Sequence, residues 1–329
     1  MIAGNSGLAK SGAGLLVLAA ANTFTGTTAV AGPLELRHFS ALASSTALTL
    51  ANNSSLQLRS DLAGTFATPA AALTAGGTVT LDAGPLSSAA NQTLTVGGAL
   101  QLTHTGTTTS TVHVTGSAGF SVSIPTVNIS NTAASNSQVR LAFKPTTANL
   151  TLGAVNGLTT GGGRDPFLIL DGTSTGNRVT GKIANPVSGA AWTYVTKQGT
   201  GTWTLTGPSN NFVGTCAINA GILNVQVNSA LGNTNRGTTV SNGATLQLQS
   251  TTSLNYSTAE ALTLNGGRVA TQGALQNIAG TNTFAGLLTL SHPGTISGPA
   301  FDLTVGYIKA TLPAGSTGKR FVHLVIQTP

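Results

Sequence analysis

KQGTGTWTLTGPSNNFVGTCAINAGILNVQVNSALGNTNRGTTVSNGATLQLQ, residues 197–249, has a looser second edition at residues 10–59, KSGAGLLVLAAANTFTGTTAVAGPLELRHFSALASSTALTLANNSSLQLR. Lys197, Gly199 and Gly201 fall on Lys10, Gly12 and Gly14; Asn210, Phe212 and Gly214 fall on Asn22, Phe24 and Gly26. Further along, Ile218, Leu223 and Val225 fall on Val30, Leu34 and Leu36, and Leu246-Gln247-Leu248 matches Leu56-Gln57-Leu58. Within each copy the apolar residues come as short alternating pairs such as Trp203/Leu205 and Leu223/Val225, separated by Gly, Asn, Ser and Thr. Alternation of period two is a strand with one buried face, and the small polar residues between are turns. The pair Leu223/Val225 recurs at Leu246/Leu248 and, after a shorter interval, at Leu262/Leu264. A spacing of roughly 16–25 residues suits one coil of a solenoid, whose inward face is buried only by the coils above and below.

At these residues the chain resembles the autotransporter-associated β-strand repeat of bacterial surface proteins. The resemblance is carried by GTGTWTLTG at 199–207, NNFVG at 210–214, INAGILNV at 218–225, ALG at 230–232 and VSNGATLQL at 240–248. It covers 191–305 clearly and 10–60 more faintly, where Leu16 replaces the Trp and Pro33 enters. It implies a parallel β-helix displayed outside the cell. The matching of Lys10–Ala21 to an internal segment also reads that stretch as an opening strand and not as the charged and apolar parts of a signal peptide.

Composition agrees. Of 329 residues 40% are hydrophobic and only 6% charged, with 42 glycines. Disorder comes with low hydrophobicity and high net charge, and a helical protein would carry far more Glu, Lys and Arg. The formal charge of +7 comes from 14 basic and 7 acidic residues, a surplus able to attract polyanions. The cations are scattered, with only Lys319 and Arg320 adjacent, so the concentrated basic face of a nucleic-acid binder is not expected. The one cysteine, Cys216, excludes an internal disulfide framework and reads as a small buried filler. No apolar run approaches the roughly 18–20 residues of a membrane-spanning helix.

Chemistry is sparse. Glycan-cleaving sites need paired carboxylates, and the closest acids along the chain, Asp165 and Asp171, flank a strand next to the loop signal at 161–166. They are the candidates for the alternative reading, a polysaccharide lyase or hydrolase on a β-helix scaffold; a turn with a capping Asp explains them as well. The histidines His38, His104, His113, His292 and His323 show no metal-ligand spacing, and His113, between Val112 and Val114, points outward. Leu73, Val79, Leu81 and Leu86 are expected to point inward. Asparagines beside corners (Asn22, Asn53, Asn210, Asn242, Asn265 and Asn282) either hydrogen-bond from coil to coil or simply tolerate left-handed turns. A row of aromatics for glycan binding is hard to build from two Trp and three Tyr.

The fold expected is all-β: a right-handed parallel β-helix running as one continuous rod over 1–329, about 13–17 coils spaced ~4.8 Å. The chain is read as a segment of a longer protein. The function implied by the resemblance is a non-catalytic surface or secreted structural rod, adhesin-like or fibre-forming, on the bacterial exterior. No catalytic, cofactor-binding or metal residue is assigned and no cofactor is expected. Expected partners are further copies, end to end or side by side, and surface glycans or other polyanions; specific nucleic-acid binding and a membrane span are not expected.

Overall fold

In the strand Gly221–Val225 the side chains of Leu223 and Val225 are fully buried, and in Ala244–Gln249 so are Leu246 and Leu248. Leu223 stands directly on Leu246 and Val225 on Leu248 in parallel register, so the interval between those two pairs is one coil. Each fully buried Leu or Val contributes about 1.5–3 kcal/mol relative to exposure, as an upper estimate. The computed structural model describes residues 1–104, 108–131, 138–159, 165–186, 191–250, 254–256, 260–266, 273–292, 296–297 and 303–310. Among them there are strands and no helix, every strand pair is parallel, and the strands form two long sheets. The protein is a parallel β-helix. The loop at 161–164 lies outside the described residues.

The shorter interval, from Leu246/Leu248 to Leu262/Leu264, is not a coil. Leu246 and Leu248 belong to one sheet and Leu262 and Leu264 to the other, where Leu264 lies on Val240. Coils also differ in length along the column: Leu8 lies on Thr28, whereas Leu246 lies on Leu275, a longer circuit of chain. Much of the variation comes from a third strand. Residues 8–59 use two strands per coil, the pairs Leu8–Ser11 with Leu16–Leu18, Thr28–Ala31 with Pro33–Leu36, and Leu48–Leu50 with Ser55–Arg59. From Gly64–Phe66 onward an extra file appears, continued by Thr93–Val96.

The long strands Ser121–Asn131 and Asn149–Thr159 then run through both files at once. Thr93–Thr95 pair with the first half of 121–131 and Leu100–His104 with its second half. Gly153 is required at this corner because a Cβ there would collide with the carbonyl of Pro125. Beyond Ile183–Ala184 the original file ends as paired strand, while Asn177–Val179 hands on to Thr202–Leu205. The first sheet thus starts on one side of the column and finishes on another. As a result, Lys10 and Lys197 occupy equivalent places in sequence but lie in different sheets.

Leu73, Val79 and Leu81 are buried as expected, but Leu86 is exposed. It follows the end of the strand Thr78–Gly84, and its amide and that of Ser87 are both held by the Asp61 carboxylate at 3.0 Å, which turns the segment outward. Corner asparagines divide between the two readings. Asn53 adopts a left-handed φ of 61°, while Asn22 and Asn210 hydrogen-bond from coil to coil. Apart from the corners, mid-strand amides form ladders, with Asn156 donating to Asn128 at 2.9 Å, Asn224 to Gln247 at 3.1 Å and Gln247 to Gln276 at 2.8 Å.

Candidate functional site

The feature that recurs with the repeat is a buried lysine folded into a turn. Lys197 ends the strand Tyr194–Lys197 and is fully buried; its Nζ donates to the carbonyls of Gln198 at 2.8 Å, Gly199 at 2.7 Å and, from the next coil, Ala220 at 2.9 Å. An ammonium has three donors, and all three are used. Burial pushes its pKa down to about 8, with the Asp171 carboxylate acting upward against this, so at neutral pH it is still charged. Lys10 repeats the arrangement, donating to Ser11 O at 2.8 Å and Gly12 O at 2.7 Å.

Further along each copy an asparagine spans three coils. Asn210 accepts from the Ile183 amide of the coil above at 2.8 Å and donates to the Ala230 carbonyl of the coil below at 3.1 Å. Asn22 accepts from Ile2 at 2.8 Å and donates to Ala41 at 3.0 Å. Each is followed by a buried phenylalanine, Phe212 and Phe24. One amide therefore satisfies buried backbone groups on both neighbours, where an unpaired group would cost about 1–3 kcal/mol.

The family model described as passenger-associated transport repeat matches residues 8–32 and 195–225, the two segments holding these turns and bridges. The chain carries passenger-associated transport repeats. No curated protein and no solved structure matches it significantly. Passenger repeats of this type imply a secreted or surface location.

Asp165 and Asp171, the acids singled out from sequence, are not brought together. They stand at the start of the strand Asp165–Leu170 and just past its end, about 20 Å apart at strand rise, well beyond the carboxylate separations used in glycoside hydrolysis. Asp165 accepts from the Trp192 amide at 2.8 Å; Asp171 caps the Gly172 amide at 2.7 Å and takes Gln198 Nε2 at 3.2 Å. Both are turn-holding groups. Cys216 is fully buried, and burial pushes its thiol up to about 12, the behaviour of a filler. His113 points outward and shares a 3.2 Å hydrogen bond with Thr146. Among the described residues no group of three or more His, Cys, Asp or Glu is placed to hold a metal.

Three arrangements are invisible along the chain. On the outer face of the second sheet Arg59 lies between two carboxylates from neighbouring coils, Glu35 at 3.7 Å and Asp82 in a direct ion pair, with Arg37 also on Glu35 and the Thr115 hydroxyl on Asp82. Inside the column Cys216, Thr238 and Glu260 form a polar file: Cys216 and Thr238 are in register, and the Thr238 hydroxyl donates to Glu260 at 2.9 Å. The other Glu260 oxygen has no partner among the described residues, and burial pushes the carboxyl up to about 7.

The third is a row on the second sheet. Arg140, Phe167 and Tyr194 are neighbours on successive coils; the two rings stack at 4.5 Å and 6°, and the Arg140 guanidinium lies 4.8 Å from the Phe167 centroid. Beside them Arg236 covers Trp192 at 3.9 Å. The row holds two stacked rings and an arginine, short of the run of aromatics that a glycan-binding face would present. Its three members, Arg140, Phe167 and Tyr194, are evenly spaced along the chain, a signal that counts only once the local coil length is known.

Proposed function

We propose that this passenger-repeat chain is a non-catalytic structural rod of the bacterial exterior, serving as a spacer or adhesin-like stalk. The observation that supports it is how polar groups are spent. Lys10, Lys197, Asn22 and Asn210 direct their donors to the backbone of their own turn or of adjoining coils. That is an economy of stacking, in which each coil interacts with its neighbours and length is added by repetition. The described coils make a rod of about 60 Å at ~4.8 Å per coil.

Self-association end to end belongs to the same proposal. Stacked coils pair through their strand edges, so one rod can cap another wherever a column ends. Negative-stain electron microscopy over a concentration series tests both parts. Thin rods that lengthen with concentration support them; rods of constant length remove end-to-end stacking, and round particles remove the rod itself. Incubation with acidic and neutral polysaccharides, read by reducing ends and unsaturated products, is expected to show no turnover.

A further inference from the structure

The row Arg140–Phe167–Tyr194, with Trp192 and Arg236 beside it, is an interaction surface, and the chemistry it offers can be read from which faces are already used. Phe167 has Arg140 on one face and Tyr194 on the other. The remaining face of Tyr194 lies against backbone, since a Cβ on Gly214 would stand 2.5 Å from its Cγ. The Trp192 face is taken by Arg236. No ring has both faces free, so the row is poorly suited to stack nucleobases, which need an open π-face.

What the stack leaves outward is the N–H edges of two guanidiniums. Planar guanidinium stacked on an aromatic ring keeps its hydrogen-bonding rim available, and that rim matches a carboxylate in a two-point fork. Among the described residues neither Arg140 nor Arg236 is paired with a carboxylate; the Arg140 side chain donates to Gln138 on its own strand. This contrasts with Arg37 and Arg59, whose charges are neutralised on the spot by Glu35 and Asp82. Exposed Lys144 lies on the same strand as Arg140, in register with His113, adding a third cation. The one carboxylate nearby, Asp165, is engaged by the Trp192 amide and raises the Tyr194 pKa, which burial raises more.

The row runs with the stacking direction: Arg140 to Tyr194 is two coils, about 10 Å. With Arg140 at one end of the row, Arg236 beside its other end over Trp192 and Lys144 further along the Arg140 strand, the cations are spread over an extended surface, which fits a linear polymer bearing repeated carboxylates better than a single compact anion. We infer that this row binds an acidic polysaccharide, laid along the rod, through Arg140 and Arg236 with Lys144 in support. The choice of a polysaccharide over other polyanions rests on the surface location proposed above; the cationic row does not.

The test uses the whole chain and polygalacturonate as probe, by isothermal titration or co-sedimentation at about 50 mM salt, where charge contacts are only partly screened, with dextran as the neutral control. Binding is expected to polygalacturonate and not to dextran, weakening steeply with salt. The double variant R140Q/R236Q is expected to lose about tenfold in affinity, while R178Q/K182Q, which removes the same charge elsewhere, changes it by less than about twofold. R140K/R236K keeps the charge and loses the planar fork, so a clear loss there supports the geometry, whereas full retention overturns it. Absence of polygalacturonate binding, equal loss in R178Q/K182Q, or tighter binding of an oligo-dT strand also overturns the inference. Thin rods in micrographs of the same samples leave the structural reading standing whatever the binding result, so the two proposals fail separately.

Discussion

Gly221 lies over the ammonium of Lys197: a Cβ at 221 would stand 2.8 Å from Nζ, 2.5 Å from Gly199 O and 2.6 Å from Gly201 O, and the backbone there has φ of +64°. Gly32 has the same relation to Lys10, with Nζ 2.7 Å from the added carbon. The small residue of one coil and the charged turn of the coil before it are one unit.

Two substitutions probe that unit. Gly221→Ala adds backbone strain and displaces the ammonium, an expected loss of about 3 kcal/mol. Lys197→Met leaves three carbonyls without their donor and costs a similar amount, about 3 kcal/mol. Because both disturb the same contacts, the double variant is expected to lose less than the sum. Lys10→Met is milder, since Lys10 holds two carbonyls in place of three. Amide exchange at Ile222 and Asn219, whose N–H groups bond to Gly201 and Lys197 carbonyls, reads the local effect. Additive losses, or unchanged exchange at those two amides, would count against the shared unit.

Asn210 gives a directional test. Asn210→Asp keeps an acceptor for the Ile183 amide and removes the donor to Ala230; Asn210→Ala removes both. The alanine variant is expected to lose about 2–3 kcal/mol and the aspartate variant less at acid pH, where the carboxyl is neutral. Hydrogen exchange at Ile183 separates the two, with protection retained in Asp and lost in Ala. Equal exchange in both variants would falsify the bridge as the source of that protection.

The period-two pairs and the recurrence of Leu223/Val225 at Leu246/Leu248 made the strands, the parallel stacking and the inward face readable from the chain. Coil length was not readable throughout, because the third file at Gly64–Phe66 and Thr93–Val96 has the same Thr, Leu and Gly composition as its neighbours. With coil length unknown, lateral rows could not be assembled, so Arg140, Phe167 and Tyr194 looked scattered although they are adjacent. The lysine illustrates a second limit. Lys10 and Lys197 were visible as a repeated landmark, but a cation is ordinarily read as solvated, and only the turn geometry shows the Lys197 ammonium directed at carbonyls. Asp165 and Asp171 failed in the opposite sense: they are near neighbours along the chain, yet an extended strand places them about 20 Å apart.

Arg59 stands between carboxylates two coils apart, so its removal leaves Asp82 without its ion pair and Glu35 with Arg37 alone. Glu35 is buried apart from its rim. Arg59→Met is expected to lower stability by about 1–2 kcal/mol at low salt, less at about 1 M salt, where exposed charges are screened. Melting temperatures at the two salt concentrations check it; a loss independent of salt would point to packing of the arginine stem instead.

Glu260 supplies the pH dependence. Its carboxyl is raised from 4.5 to about 7, chiefly by burial and opposed by the Thr238 hydroxyl; the facing Cys216 thiol is neutral across this range, being pushed up to about 12. Below pH 4.5 folded and unfolded chains both carry the proton, so the group makes no pH-dependent difference. Between 4.5 and 7 the unfolded chain has lost a proton that the folded chain keeps, so stability falls as pH rises, and above 7 the loss is complete. The shift corresponds to about 3 kcal/mol in total. Glu260→Gln removes the titration: the variant is expected to match the parent near pH 4.5 and to melt higher at pH 8, with the curves diverging across the window between. Melting curves that stay parallel from pH 4.5 to 8 would show that Glu260 ionises at its ordinary pKa and that the Cys216–Thr238–Glu260 file is open to water.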